Sequence, residues 1–352
     1  MQVIPLYVSL ISLILGLDQA EIVFVGDAMQ HQAQLEAARR PGNKYDYSGC
    51  FDDIRPYVES ADYAVVNLET PIGSTNFTGY PCFNSPASYV DALADAGFDL
   101  FLTANNHTLD RGDNGLHASI DSLDSRGLDH IGTYHNRAHR DTTNCLVKNI
   151  SGIKVGFVNY TYGTNGISVR KDAVVNYIDT ALISRDIETL RRDGAEIVTV
   201  ALHWGNEYQL INNQSQTRLA HYLVDKGVDL VIGGHPHVIQ PMEIVDSPAT
   251  GRKSLIVYSL GNFISNMKTR DTRGGAMLRV KLGRDTDGHA QLIDASYRLI
   301  FTLPPENSKN FRVVDARDYL MNSKGLWHNR CKDFVKSATS IFHTHNKNVT
   351  ED

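Results

Sequence analysis

A chain of 352 residues, 42% hydrophobic and 21% charged, has the composition of a folded soluble protein and is long enough for one large α/β domain or two ordinary ones. Its formal net charge of −6 leaves no basic footprint for nucleic acid. Four cysteines (Cys50, Cys82, Cys145, Cys331) are too few and too scattered for a disulfide scaffold or a Cys-type zinc site, although a Cys50–Cys82 bridge stays open in an oxidising compartment.

Residues Val3 to Leu17 form an apolar run that is short for a spanning helix, which needs roughly 20 residues. The run fits a signal-peptide core, with Asp18-Gln19-Ala20 as the cleavage region, although no Lys or Arg precedes it. The expected protein is therefore periplasmic or otherwise extracytoplasmic, either secreted or held by an uncleaved N-terminal anchor. From residue 21 apolar runs alternate with amphipathic stretches, the α/β pattern. Ile22 to Val25 reads as a strand entering Gly26-Asp27, Phe51 to Ser60 as a helix, and Tyr63 to Val66 as a strand entering Asn67-Leu68-Glu69. Thr70 to Pro86 is a Gly-, Pro- and Asn-rich loop that would overhang whatever Glu69 serves.

A helix is expected over Ser85–Ala96, stopped by Gly97, and then a strand from Phe98 to Thr103 entering Asn105-Asn106-His107. Asn114–Ser125 is a helix with Leu116, Ile120 and Leu123 on one face, and Ile153–Tyr160 is a buried strand. Helices over Ile183–Arg192 and Gln216–Lys226 each end at a glycine. Between and after them lie strands Ile197–Leu202, entering His203, and Val228–Ile232, entering Gly233-Gly234-His235-Pro236-His237. Leu255–Tyr258 leads to Ser259-Leu260-Gly261-Asn262, and Met277–Leu282 with Ala290–Ile300 reads as a hairpin. Residues 1–20 are set apart as leader or anchor, 21–300 as one domain, and 301–352 as a packed or frayed extension.

Five strands thus stop at residues that can bind a metal, and in an open α/β sheet ligands gather outside the carboxyl ends of the strands. His235 and His237 share one face of an extended segment, so both imidazoles can aim at one cluster. Asp27 is either a metal ligand or the cap of a helix beginning near Met29. Glu69 either bridges cations or is a surface glutamate, and His203 is either a ligand or a hydrogen-bonded structural histidine. Asn105, Asn106 and His107 offer an amide ligand and a proton-transfer histidine, or simple turn chemistry. Asp110 either orients the His107 ring or caps the next helix. The loop beginning Tyr160-Thr161-Tyr162 and reaching Asn165 and Gly166 is a substrate-side loop or a surface loop with buried tyrosines. Arg170 and Lys171 nearby could meet an anionic ligand, and Asn262 ends a core strand beside the cluster.

The blocks Gly26-Asp27-Ala28-Met29, Asn67-Leu68-Glu69-Thr70-Pro71, Ala104-Asn105-Asn106-His107, His203-Trp204-Gly205-Asn206-Glu207-Tyr208, Gly234-His235-Pro236-His237 and Ser259-Leu260-Gly261-Asn262-Phe263 resemble, in order, the signatures of the CapA family. That family is named for poly-γ-glutamate capsule biosynthesis. The resemblance implies a metallophosphoesterase-like fold, a four-layer α/β/β/α sandwich with a metal site at the C-terminal ends of the strands. It implies metal ligation by Asp27, Glu69, Asn106, His203, His235 and His237, with His107 as acid toward the leaving group. Substrate contacts are expected from Asn105, Tyr160, Tyr162, Asn165 and Asn262. Two departures from the wider superfamily stand out: Met29 takes the place of a ligand histidine, and Glu69 stands near the position of a bridging aspartate, while His31 would need a helical turn to return to the site.

Mixed imidazole, carboxylate and amide ligands suit one or two Zn, Mn or Fe(II) ions better than Ca or Mg. The expected function is a metal-dependent hydrolase or transferase acting on a capsule or envelope polymer. Expected partners are an anionic polymer or small-molecule substrate and a membrane polymer-synthesis complex. Two alternatives are a non-catalytic accessory to polymer export or assembly, and a cytosolic phosphoesterase whose apolar N-terminus is simply buried.

Overall fold

The computed structural model describes residues 18–305 and 310–352, so the leader or anchor expected over 1–17 lies outside the described residues. Strand β1 (Gln19–Ala28) shows why the fold is layered: every residue from Ile22 to Ala28 is buried, on one face or the other of a sheet covered on both sides. Ile22 and Phe24 join one apolar cluster, and Val23 and Val25 another on the opposite face. A strand covered on both faces reads as a continuous apolar run, as parallel strands do.

The first sheet comprises nine strands. β1 pairs in parallel with β2 (Tyr63–Leu68), which pairs with β3 (Leu100–Leu102), which pairs with β4 (Asp129–Ile131). The second sheet comprises six strands: β5 (Leu146–Ile150), β6 (Ile153–Thr161), β7 (Ile197–His203), β8 (Leu230–Gly234), β9 (Ile239–Asp246) and β10 (Lys253–Leu260), with β10 lying between β8 and β9. After β10 the chain returns to the first sheet. There β11 (Asn262–Ile264) runs parallel to the end of β1, and β12 (Gly274–Arg284) and β13 (Ala290–Leu303) form an antiparallel hairpin.

The two sheets face each other across one core that draws Phe24, Val65 and Leu278 from the first and Phe157, Leu230 and Leu255 from the second. On the outer face of the first sheet lie α1 (Gln32–Ala38), α2 (Arg55–Glu59) and α3 (Ala87–Asp95), over Val23, Val66 and Phe101. α4 (Gly112–Asp124) follows, with Leu116 and Ile120 on Val175, and α5 (Arg137–Thr143) is next in the chain. The second sheet is covered by α6 (Thr180–Arg192) and α7 (Gln214–Asp225), whose Ile183, Ile187, Leu190, Ala220 and Leu223 pack on Val158, Val200 and Val231. The result is the α/β/β/α sandwich implied by the motifs.

One expectation changes. The helix expected over Phe51–Ser60 is only Arg55–Glu59, because Pro56 sits in its first turn and the preceding residues form turns. The extension after residue 300 packs on the core. β14 (Arg312–Asp315) pairs with β13, α8 (Ala316–Asn322) follows, and α9 (Leu326–His345) buries Cys331, Phe334, Val335, Ala338 and Phe342 against the inter-sheet core. Thr350–Glu351 then pairs with β13. No described helix is long and apolar enough to cross a membrane. Cys50 is buried, Cys82 exposed, and both are free thiols.

Candidate metal centre

The register of the parallel strands brings the chemistry together. Asp27 pairs with Asn67 across β1 and β2, and His203 pairs with Gly234 across β7 and β8. Asp27 is held where β1 bulges, its amide donating to Gly261 O at 3.0 Å. Close approach explains Gly26: a Cβ there would lie 1.9 Å from Gly261 O. At Gly233 a Cβ would lie 2.1 Å from Tyr258 O, and at Gly234 2.8 Å from Asp27 Oδ1. After these glycines, His235 (φ 99°) and His237 (φ 57°) both take left-handed backbone, which is strained for a side-chain-bearing residue. The strain turns both imidazoles inward, and both are buried.

Ligand atoms of Asp27, Glu69 and His203 lie within 4.8 Å of one another, as do those of Glu69, His235 and His237. Glu69 belongs to both groups, the position of a bridging carboxylate. His203 Nε2 lies 3.4 Å and His237 Nε2 3.8 Å from Glu69 Oε1, and His203 Nε2 is 2.8 Å from Asn106 Oδ1. His237 Nδ1 is 3.1 Å from Asp27 Oδ2 and 3.0 Å from Asn262 Oδ1, and the His235 amide donates to Asp27 Oδ2 at 3.2 Å.

Within the cluster some polar atoms lack partners. Both Glu69 carboxyl oxygens and His235 Nδ1 are buried with no hydrogen-bond partner, whereas buried polar groups are normally paired. The residues present therefore fit a divalent ion. Burial, and then the neighbouring Asp27, push the Glu69 carboxyl well above the usual range. Burial acts the same way on Asp27, but the His237 hydrogen bond and the His237 and His203 charges outweigh it and hold Asp27 down at about 2. His237 is raised to about 9: burial opposes its charge, and Glu69 and Asp27 overcome that. Burial keeps His203 and His235 neutral, lowered to about 3 and about 2.

His107 sits beside this cluster. Its Nδ1 is 2.8 Å from Asp110 Oδ2, which also accepts from the Phe83 amide at 2.7 Å, and the Phe83 ring stands edge-on to it at 4.6 Å. Asp110 therefore orients the imidazole and does not cap α4, whose N-cap is Arg111. The nitrogen that Asp110 leaves disengaged is Nε2, the one available for proton transfer.

The residues expected to touch substrate divide. Tyr162, exposed, lies with its ring 4.5 Å from that of His235, and Asn165 accepts from Asn106 Nδ2 at 3.2 Å. Tyr160 is a correction: strand alternation turns its buried ring to the α6 side, where its hydroxyl donates to Asp186 at 2.5 Å. Asn105 and Asn262 are buried supports. Asn105 Nδ2 donates to Leu68 O at 2.9 Å, and Asn262 Nδ2 donates to Thr272 O at 2.8 Å while its oxygen holds His237. Met29 is a buried core residue, and the adjoining chain places His31 Nδ1 under the Asn266 amide at 3.2 Å. His31 is half-buried, and burial lowers it to about 4.

Three residues without an assigned role also belong here. Asn67 donates to Asp27 Oδ1 at 2.8 Å. Tyr208, in left-handed backbone at φ 65°, has its amide on Pro236 O at 2.8 Å and its ring 6.3 Å from that of His237. Phe83 joins the overhanging loop to His107. The blocks at Asn67 and Tyr208 were visible as motifs, but Phe83 lies in a loop without periodicity.

The family model described as "Bacterial capsule synthesis protein PGA_cap" matches residues 21–267. The chain belongs to the PGA_cap family. It is 26% identical over 276 residues to the capsule biosynthesis protein CapA of Bacillus anthracis, a match covering 75% of this chain and 64% of that protein. With the PGA biosynthesis protein CapA of Bacillus subtilis it shares 26% identity over 312 residues, 86% of this chain and 78% of that protein. The chain thus spans less than two thirds of the length of the Bacillus anthracis relative. The structure of Haemophilus influenzae NAD nucleotidase superposes with a TM-score of 0.51 at 12% identity, covering 95% of this chain and 57% of that one, a likeness of fold. The PGA_cap match takes in every residue of the centre, from Asp27 to Asn262.

Proposed function

We propose that this PGA_cap protein is a metal-dependent hydrolase or transferase acting on a capsule or envelope polymer of the poly-γ-glutamate kind, outside the cytoplasm. The observation that carries the reading is the convergence of Glu69 and His235 donor atoms, buried without hydrogen-bond partners, with Asp27, His203 and His237. One or two divalent ions (Zn, Mn or Fe) would be held by these five residues and Asn106, and would polarise the attacked group and lower the pKa of a bound water. His107, oriented by Asp110, holds the proton for the leaving group. Asn67 and Asn262 fix Asp27 and His237, and the Tyr162 and Tyr208 rings flank the approach to His235 and His237.

In this reading the apolar Val3–Leu17 run directs export or anchors the chain, and the polymer arrives from a membrane synthesis complex. A second reading, an accessory to polymer export or assembly, is favoured by Met29, a core residue where the superfamily carries a ligand. Elemental mass spectrometry of the dialysed full chain, followed by phosphoester and γ-glutamyl substrates side by side, separates the two. About two metal equivalents with turnover of either substrate supports the enzyme. No metal after incubation with Zn and Mn would sink it and leave the accessory role.

A further inference from the structure

Beside the metal centre, on the far side of Asp110, a cleft of about 460 Å3 runs between the start of α4 and the loop after β6. Its lining includes Asp110, Arg111, Asn114, Ile167, Arg170 and Lys171. The acidic groups are turned inward: Asp110 is held by His107 and the Phe83 amide, and buried Asp113 accepts from the Arg170 and Lys171 amides at 3.0 and 2.7 Å. Those two bonds fix the backbone that carries both cations. Arg111 is tied to the overhanging loop through Phe83 O and Cys82 O, at 3.3 and 3.1 Å. The outer cations are free to meet a ligand. Lys171 Nζ touches only the neutral Asn114 Oδ1, at 3.1 Å, and the exposed Arg170 guanidinium pairs with no carboxylate among the described residues. Ile167, packed on Leu109, gives the wall an apolar strip.

We propose that this cleft is the subsite for the leaving-group arm of a carboxylate-bearing chain, with Arg170 and Lys171 as its specificity-determining residues. This assignment rests on the hydrolytic reading of the metal centre and gives that reading a direction. Asp110 orients the group that protonates the departing atom and also lines the cleft, so the departing segment lies along the cleft. Cations on the rim above an apolar strip match a chain that alternates methylene stretches with pendant carboxylates. A phosphodiester chain, whose charge lies in its backbone, would set its anions against the strip.

The test measures binding of a fluorescently labelled γ-linked hexaglutamate and of a labelled glycerol-phosphate hexamer to the full chain, by anisotropy at physiological salt. Three proteins are compared: the wild type, the double variant Arg170→Gln/Lys171→Gln, and Arg185→Gln/Lys336→Gln, two exposed cations away from the cleft, as a control matched in net charge. Hexaglutamate affinity should fall about tenfold in the double variant, the effect of two partly screened ion pairs. It should change less than about twofold in the control, with metal content and turnover of a small chromogenic phosphoester unchanged. An equal loss in the control, no loss in the double variant, or tighter binding of the glycerol-phosphate chain would overturn the proposal. Cleft-dependent binding without any turnover would defeat the hydrolytic reading and with it the leaving-group role, leaving a cleft that binds a carboxylate-bearing chain. Hexaglutamate turnover indifferent to Arg170 and Lys171 would keep the hydrolytic reading and overturn the subsite.

Discussion

Burial, and then Asp27, push the Glu69 carboxyl well above the usual carboxylate range, a penalty on its anion that a bound cation would offset. His237, raised to about 9, holds a proton at pH 7. A divalent cation bound there must displace that proton, so binding should release protons, and apparent affinity should rise with pH until His237 deprotonates near 9. Titration calorimetry at pH 7 in two buffers of different ionisation enthalpy would read this directly, and identical heats would contradict it. Without metal the sign reverses. His237 stabilises the fold below its unfolded value of 6.5, and that contribution disappears as pH rises through about 9. Denaturant titrations of the metal-free protein should therefore show stability falling across that window, by on the order of 3 kcal/mol at most. For His107→Asn, kcat should drop by roughly 10²–10⁴ while metal content holds. Unchanged turnover would remove His107 from the acid role.

At the scale of elements, the strand ends depend on glycines that admit a neighbouring backbone. Gly26→Ala would drive a methyl into Gly261 O. Its expected cost is about 1–3 kcal/mol, together with a displaced Asp27 and weaker metal retention. Gly163→Ala, with nothing within 4 Å of the added carbon, should melt with the wild type. Equal midpoints for both variants would mean the β1–β11 junction yields. These elements also show what the sequence revealed. Strands covered on both faces, such as β1 and β7, stand out as apolar runs, and each stops at a chemically legible residue. Tyr160 was misplaced because a run buried on both faces gives no alternation to say which side chains point toward the site. The short α2 reads longer in sequence than it is because its apolar residues continue into turns that only the Pro56 start delimits. The support given by Asn67, Asn105 and Phe83 depends on contacts across strands and loops, which no local pattern encodes.

At the scale of the whole molecule, the C-terminal segment closes the core. Phe334 and Phe342 of α9 meet Phe301 and Tyr297 of β13, with ring centroids 5.9 and 4.5 Å apart. Ending the chain at residue 325 would bare that surface and the β13 edge at Ser296 and Tyr297, so the truncated protein should aggregate or be digested rapidly by protease. A soluble, cooperatively melting truncation would show the segment to be dispensable. The sequence concealed this helix because its polar residues outnumber the stripe formed by Cys331, Phe334, Val335, Ala338 and Phe342.

Asp27 and Glu69 extend from one sheet, and His203, His235 and His237 from the other. Neither half alone holds the full donor set, and the histidines are made long after the first carboxylate. On the proposed metal reading, ion capture becomes a clock for tertiary assembly: a refolding chain should acquire secondary structure first and its ion only when the two halves dock.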